Sequence, residues 1–116
     1  MKTDTPVKTA RVPCAAVTGL IVDAMVKSGL PAADAAKVAE LMLEADLTGS
    51  DAHGVFRLPQ YVNRLKIGST NPRPAITVER SAPATALVDG DNGMGHLVVA
   101  RAAETAIALA RECGVA

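Results

Sequence analysis

Three residues suited to acid–base and anion-binding chemistry recur at four-residue intervals between Asp51 and Tyr61. His53 supplies an imidazole, Arg57 a guanidinium and Tyr61 a phenol. Histidine is the side chain whose unperturbed pKa lies closest to neutral pH, so it is suited to proton transfer. The planar guanidinium of arginine matches a carboxylate. The spacing therefore predicts a site for a small anionic substrate that gains or loses a proton.

The backbone that carries these residues is expected to be a tight turn followed by a helix. On one continuous helix the three side chains would share a face. Pro59 argues against this, because a proline past the first helical turn removes a hydrogen bond and clashes with the preceding turn. We predict instead a short turn from His53 to Arg57 and a helix that begins near Leu58, with Pro59 at its first position.

Each of these residues also has a purely structural interpretation. A histidine after Gly-Ser-Asp often caps a helix or lies on the surface, and a lone arginine is most often a solvated charge. Tyr61, the only tyrosine, could pack at the edge of the core with its hydroxyl satisfied. Spacing alone leaves both interpretations open.

Composition limits the protein to one modest domain with an aliphatic core. The chain has 116 residues, of which 49% are hydrophobic but only 2% aromatic. Small side chains favour closely packed helices. The 12 basic and 12 acidic residues balance, which argues against a nucleic-acid partner, and no long apolar run predicts a membrane span.

The two cysteines, Cys14 and Cys113, have no pairing or metal-ligand spacing. We expect them to be reduced and buried in a cytoplasmic protein, and we predict no metal site.

Hydrophobic periodicity predicts an α+β fold: an N-terminal helical hairpin, a further helix, a short two-strand segment and a C-terminal helix. Residues 1–11 lack periodicity and are expected to fray ahead of a single domain over residues 12–116. The expected helices run from Val12-Pro13 to Gly29, from Pro31 to Gly49, from Leu58 to Ile67 and from His96 to Cys113, and the expected strands are Ile76–Glu79 and Thr85–Val88.

The last helix presents a face of small residues expected to pack closely, formed by Val99, Ala102, Ala103, Ala106, Ile107 and Ala110. An apolar Val115-Ala116 after its Gly114 cap resembles the start of another strand. We therefore expect a truncated piece of a larger protein, with a complete small domain as the alternative.

A glycine-rich turn, Asp89 to Gly95, separates the second strand from the last helix. Its spacing, G-x-x-G-x-G, differs from the dinucleotide fingerprint G-x-G-x-x-G. A turn that needs positive φ angles explains the glycines, and a phosphate cradle is the alternative. Asp89 and Asp91 are expected to form the turn rather than bind metal, and His96 is expected on the surface.

A series of short motifs resembles one known family, the malate/L-lactate dehydrogenases of the non-Rossmann type. Their order and spacing from about residue 12 to residue 116 match the N-terminal third of that family. The motifs are Glu44-Ala45-Asp46-Leu47-Thr48-Gly49, Asp51-Ala52-His53-Gly54-Val55, Arg57-Leu58 with Tyr61, Gly68 with Asn71-Pro72, Ala86-Leu87-Val88-Asp89-Gly90 with Gly93 and Gly95, and Ala110-Arg111 with Gly114-Val115-Ala116.

The resemblance implies NAD- or NADP-dependent interconversion of 2-hydroxy acids and 2-oxo or cyclic imino acids by a homodimer. It makes His53 the candidate proton donor and acceptor, Arg57 the ligand of the substrate carboxylate, and Tyr61 a possible substrate contact. The nucleotide-contacting segments and a relay aspartate would lie beyond Ala116. The family usually has serine before the histidine, whereas Ala52 here has no hydroxyl.

A non-enzymatic protein is the main alternative function. In that interpretation the chain is a small helical interaction module, and the alanine-rich face of the last helix docks a partner.

Overall fold

A computed structural model describes residues 10–116, and the predicted α+β arrangement is confirmed. Most of the segment predicted to fray lies outside the described residues. The elements are helices α1 (Cys14–Lys27), α2 (Ala32–Leu47), α3 (Leu58–Lys66) and α4 (Gly95–Cys113), and strands β1 (Thr77–Ala82) and β2 (Thr85–Asp89). Two single turns of 3₁₀ helix, Asp51–His53 and Val55–Arg57, connect α2 to α3.

The predicted helical hairpin forms the centre of the core. Gly29, with φ of +107°, reverses the chain after α1, and Pro31 precedes the first residue of α2. The buried core consists of Ile21, Met25, Leu30, Ala35, Val38, Ala39, Met42, Leu58, Leu65 and Met94.

No helix among residues 10–116 combines the length and apolar character needed to cross a membrane.

The two predicted strands form an antiparallel hairpin. Val78 pairs with Val88, and an irregularity between Arg80 and Ala82 lets β1 continue three residues past its predicted end at Glu79. All of β1 is exposed, whereas alternate residues of β2 are partly buried. The hairpin is therefore held to the rest of the fold mainly by β2, which lies against α4.

The face of α4 predicted to pack closely is largely exposed in the structure. Val99 and Ile107 are 67% and 53% exposed, whereas Leu109 is buried. The cavity beside β2 is lined by Thr105 and Leu109, together with Ala102 and Ala106 from the edge of the predicted face. The prediction was wrong for Val99 and Ile107, because the hairpin packs on a side of α4 that is roughly opposite Ile107.

The prediction of buried cysteines was also wrong, because Cys14 and Cys113 are both exposed. Cys14 is the first residue of α1, and the thiol of Cys113 donates a hydrogen bond to the Pro83 carbonyl at 3.1 Å. Both lie at helix ends, where a small side chain is not enclosed by a neighbouring helix.

The glycine-rich turn has a different physical basis from the one predicted. Positive φ angles occur at Asp91 (46°) and Asn92 (53°), not at Gly90 or Gly93. A Cβ at Gly90 would lie 2.7 Å from the γ-carbons of Val98. A Cβ at Gly93 would lie 2.6 Å from the Pro74 ring. Gly90 and Gly93 are therefore needed for close approach rather than for backbone angle.

Asp91 links this turn to the connector between α3 and β1. Its Oδ2 accepts hydrogen bonds from the Asn71 side-chain amide at 3.0 Å and from the Ala75 backbone N–H at 2.9 Å. The Asn92 carbonyl accepts a further bond from the Asn71 N–H at 2.8 Å. These bonds set the position at which α4 begins.

Replacing Asp91 tests this link. Asp91→Ala removes the oxygen that accepts both hydrogen bonds and puts alanine in the left-handed region, so we expect a loss of about 1–3 kcal/mol in the free energy of unfolding. Asp91→Asn keeps an acceptor and tolerates positive φ, so its loss should be smaller. Urea unfolding measures both variants, and equal losses would contradict this account.

Candidate functional site

Asp46 positions the loop that carries His53. Its Oδ2 accepts a hydrogen bond from the Val55 backbone N–H at 2.9 Å. Asp46 lies in the last turn of α2, where a negative charge is unfavourable for the helix dipole. The bond to Val55 offsets that local cost and holds the two 3₁₀ turns against the end of α2.

Gly54 is required at the junction of the two 3₁₀ turns. It is buried, and any side chain there would overlap the Asp46 carboxylate. The predicted short turn from His53 to Arg57 is thus confirmed as two turns that meet at Gly54. α3 then begins at Leu58, and Pro59 is its second residue, where a missing N–H removes no intrahelical bond.

The turns place His53 at the edge of a groove of about 660 Å³ between α2, α3 and α4. We call this the His53 groove. Its lining combines polar and apolar residues. The polar side chains are His53, Tyr61, Arg64 and His96, and the apolar ones are Leu41, Ala45, Val99, Ala100 and Ala103.

His96, predicted to be a surface residue, is half-buried in this groove. Its ring meets that of Tyr61 edge to face, with centroids 5.2 Å apart at 89°. Its Nδ1 is completely buried and has no hydrogen-bond partner among residues 10–116. Burial, and secondarily the nearby His53, lower the pKa of His96 from its ordinary value of 6.5.

The buried Nδ1 also indicates how the His96 ring carries its proton. A buried N–H without an acceptor loses a full hydrogen bond, which makes protonation at Nδ1 unfavourable. If the proton is on Nε2 instead, the buried Nδ1 carries only a lone pair that accepts no hydrogen bond. His96 therefore enters the groove as a neutral ring that can reach a ligand only through its other edge.

Arg57 braces the turn and does not line the His53 groove. Its Nε donates to the Ala52 carbonyl at 2.7 Å, and Nη1 donates to Gln60 Oε1 at 2.8 Å. The guanidinium thus lies beside the residue that precedes His53. No residue among those described, including Ser50 and Asp51, hydrogen-bonds to the His53 imidazole.

Tyr61 is partly buried between the core and the groove. It packs at the edge of the core and also lines the groove. The guanidinium that shares the groove with it belongs to Arg64, about one turn of α3 after Tyr61. Sequence reasoning missed Arg64, although it follows Arg57 and Tyr61 at helical spacing, which was the available signal.

Comparisons with known proteins identify the family. The sequence profile described as malate/L-lactate dehydrogenase matches residues 12–116. The chain belongs to the malate/L-lactate dehydrogenase family. It is 45% identical over 96 residues to the L-sulfolactate dehydrogenase of Methanocaldococcus jannaschii, covering 83% of this chain and 28% of that enzyme.

A malate dehydrogenase from Pyrococcus horikoshii is 41% identical over 105 residues, covering 90% of this chain and 29% of that protein. The solved structure of malate dehydrogenase from P. horikoshii superimposes with a TM-score of 0.85 and 41% sequence identity, over 90% of this chain and 30% of its own. The chain thus spans less than a third of the length of these relatives. The predicted resemblance to the N-terminal part of this family is confirmed.

Substituting Gly54 tests the anchoring of the His53 turn. Gly54→Ala should lower the free energy of unfolding by about 1–3 kcal/mol, because the added methyl overlaps the Asp46 carboxylate. Gly19→Ala is the matched control, since a methyl there meets no neighbouring atom in α1 and should be neutral or stabilising. Urea unfolding of both variants measures the difference, and a neutral Gly54→Ala would rule out the proposed crowding.

The lowered pKa of His96 predicts a specific dependence of stability on pH. The unfolded chain binds this proton at higher pH than the folded chain does. The stability associated with neutral His96 is therefore fully present above pH 6.5 and is lost progressively below it. Thermal melting on both sides of pH 6.5 should show a smaller acid-induced loss in His96→Gln than in the unmodified protein. An equal loss in both proteins would contradict this.

Proposed function

We propose that the protein containing this chain interconverts 2-hydroxy acids and 2-oxo acids with a nicotinamide cofactor. The observation that carries the proposal is His53 at the mouth of a half-apolar groove, in a chain of the malate/L-lactate dehydrogenase family. The relatives named above are a malate and an L-sulfolactate dehydrogenase. Both names describe oxidation of a hydroxyl group next to a carboxylate.

His53 is proposed to move the proton. Oxidation of a hydroxy acid removes a hydride from carbon and a proton from the hydroxyl, and the two departures must be matched. His53 is exposed at the groove edge, where it can accept that proton and later release it to water. His96 is less suited to this task because burial favours its neutral form.

Arg57 is proposed to bind the substrate carboxylate. Its guanidinium lies beside Ala52, so an acid held there would be close to His53. For Arg57 to bind the carboxylate through two nitrogens, its Nη1 must exchange the hydrogen bond to the exposed Gln60 side chain for one to the substrate. A charged carboxylate is a stronger acceptor than a neutral amide, so this exchange is favourable.

The apolar residues that line the groove suit the flat face of a nicotinamide ring. A bound cofactor, NAD or NADP, would accept the hydride during oxidation and donate it during reduction. The glycine turn does not suit its phosphates, because Gly90 and Gly93 already pack against Val98 and Pro74. Phosphate-binding residues are therefore proposed to lie outside the described part of the chain.

A homodimer and a cytoplasmic location are further proposals that rest on the family resemblance. The exposed apolar side chains of α4, Val99 and Ile107, support association with another surface. The same observation supports the second candidate function, a helical module that docks a partner. Only the dehydrogenase proposal requires His53 to act chemically.

Replacing His53 separates these functions. In the product of the complete reading frame, His53→Ala should lower kcat about 10²- to 10⁴-fold, which is the usual contribution of general acid–base catalysis. Cofactor binding should change little. Steady-state kinetics with L-malate or L-lactate and either nicotinamide cofactor measure kcat, and fluorescence titration measures cofactor binding.

Arg57→Lys provides the contrasting variant. Lysine keeps the charge but loses the planar fork, so KM for the hydroxy acid should rise more than kcat falls. Kinetics like those of the unmodified enzyme in both variants would remove the assignment of this site, and partner binding without turnover would favour the docking module.

A further inference from the structure

The face of α4 that lines the His53 groove carries one polar side chain, that of His96. The side chains on this face recur at helical spacing and come from His96, Val99, Ala100 and Ala103. His96 is the second residue of the helix, so its ring lies where α4 begins. Any hydrogen bond that a side chain of α4 offers to a ligand in the groove must therefore come from the His96 ring.

The two nitrogens of this ring differ in accessibility. Nδ1 is completely buried, without a hydrogen-bond partner among residues 10–116. Nε2 also has no partner within that range, but it is not fully buried, so a ligand in the groove that the ring lines can reach it. Because a proton on Nδ1 would have no acceptor, the neutral ring carries its proton on Nε2 and offers an N–H donor there.

Three features of the fold keep this donor neutral. Burial, and secondarily the nearby His53, lower the pKa of His96. The first turn of α4 contains no acidic residue, and the N-terminal end of a helix dipole is unfavourable for a cation. Among residues 10–116, no carboxylate lines the groove, whereas the cationic Arg64 does. His96 therefore donates a hydrogen bond without carrying a charge.

Tyr61 holds the orientation of the His96 ring. The two rings meet edge to face, with centroids 5.2 Å apart, and Tyr61 itself packs against the core. An aromatic pair in this geometry is more favourable than burial of the same area alone. A ring that is already oriented loses little freedom when a ligand binds, so the Nε2 donor is preorganised.

An N–H donor of this kind assists the chemistry proposed for His53. During oxidation the carbon loses a hydride, which reduces the nicotinamide cofactor, and the hydroxyl loses a proton, which His53 accepts. A donor aimed at the oxygen on which negative charge develops during this change stabilises that charge. His53 and His96 line one groove and are near enough to interact electrostatically, so both face the same bound ligand.

We propose that His96 is a catalytic residue that donates a hydrogen bond from Nε2 to the reacting oxygen of the acid, while His53 exchanges the proton with that oxygen. This inference rests on the proposed function and adds a second residue with a distinct role. His53 gains and loses a proton, whereas His96 keeps its own in both directions of the reaction. A neutral donor suits the hydroxyl and the carbonyl form alike, since the oxygen of each has a lone pair that accepts the bond.

Two replacements of His96 test the donor. His96→Leu removes the N–H and keeps an apolar side chain beside Tyr61, so in the product of the complete reading frame kcat for L-malate or L-lactate should fall about 10²-fold. His96→Gln retains a neutral N–H on a side chain of similar length, so kcat should stay within about tenfold of the unmodified value. Steady-state kinetics measure both variants. Equal losses in the two, or no loss in His96→Leu, would overturn the proposal and leave His96 a packing residue only.

Arg101→Gln is the control for these variants. Arg101 is exposed on α4, lies 3.7 Å from Glu104 and does not line the groove. Its replacement should leave kcat unchanged. Urea unfolding of His96→Leu and His96→Gln compares their stabilities, so that a difference in kcat at equal stability is assigned to the donor.

Nitrogen-15 NMR of the His96 ring tests the donor without turnover. Above pH 6.5 the unmodified protein should show a protonated Nε2 and an unprotonated Nδ1. Tyr61→Phe keeps the aromatic partner and should preserve this pattern, whereas Tyr61→Ala removes the partner and should populate both tautomers. A proton on Nδ1 in the unmodified protein would contradict the proposal.

The affinities of two acids separate the role of His96 from the proposed function. Pyruvate and propionate differ in one carbonyl oxygen, and without reduced cofactor neither is turned over, so calorimetry measures binding alone. Tighter binding of pyruvate that is lost in His96→Leu and kept in His96→Gln supports the donor even if no hydroxy acid is oxidised, in which case only the proposed function fails. Equal binding of the two acids by the unmodified protein overturns the role of His96, and oxidation of a hydroxy acid in that case leaves the proposed function intact.

Discussion

The bond between the Asp46 carboxylate and the Val55 N–H fixes the position of the loop that carries His53. Asp46 is the only acidic residue in the final turn of α2 whose side chain reaches the following loop, and it does so against the helix dipole. Because Gly54 leaves room for that carboxylate, both 3₁₀ turns lie against α2. His53 consequently lines the groove between α2, α3 and α4 while it stays exposed to solvent.

Local sequence signals predicted the elements well because each element is limited by a local cause. Gly29 and Gly114 end helices with positive φ, and Pro59 prevents one continuous helix through His53 and Tyr61. The errors arose where a neighbour distant in sequence decides the outcome. The packed face of α4 depends on where β2 lies, and no periodicity within α4 contains that information.

In the candidate site too, the features determined by local sequence could be predicted and those determined by distant residues could not. His53 and the turn around it could be predicted from residue type and spacing, but the groove could not, because it forms where α2, α3 and α4 meet. His96 was assigned to the surface from its place at a helix start. Its burial comes from Tyr61, 35 positions earlier in the chain, which packs edge to face against its ring. Arg64 was overlooked because only that meeting point distinguishes it from other surface arginines.

The two imidazoles of the candidate site differ in burial: His53 is exposed and His96 is half-buried. Two protonated histidines in one groove would repel each other, and burial resolves this by favouring the neutral form of His96. His53 is exposed at the edge of the groove, while the partly buried ring of His96 packs on Tyr61. Pairs of titratable groups whose environments differ in this way commonly divide acid–base and binding roles.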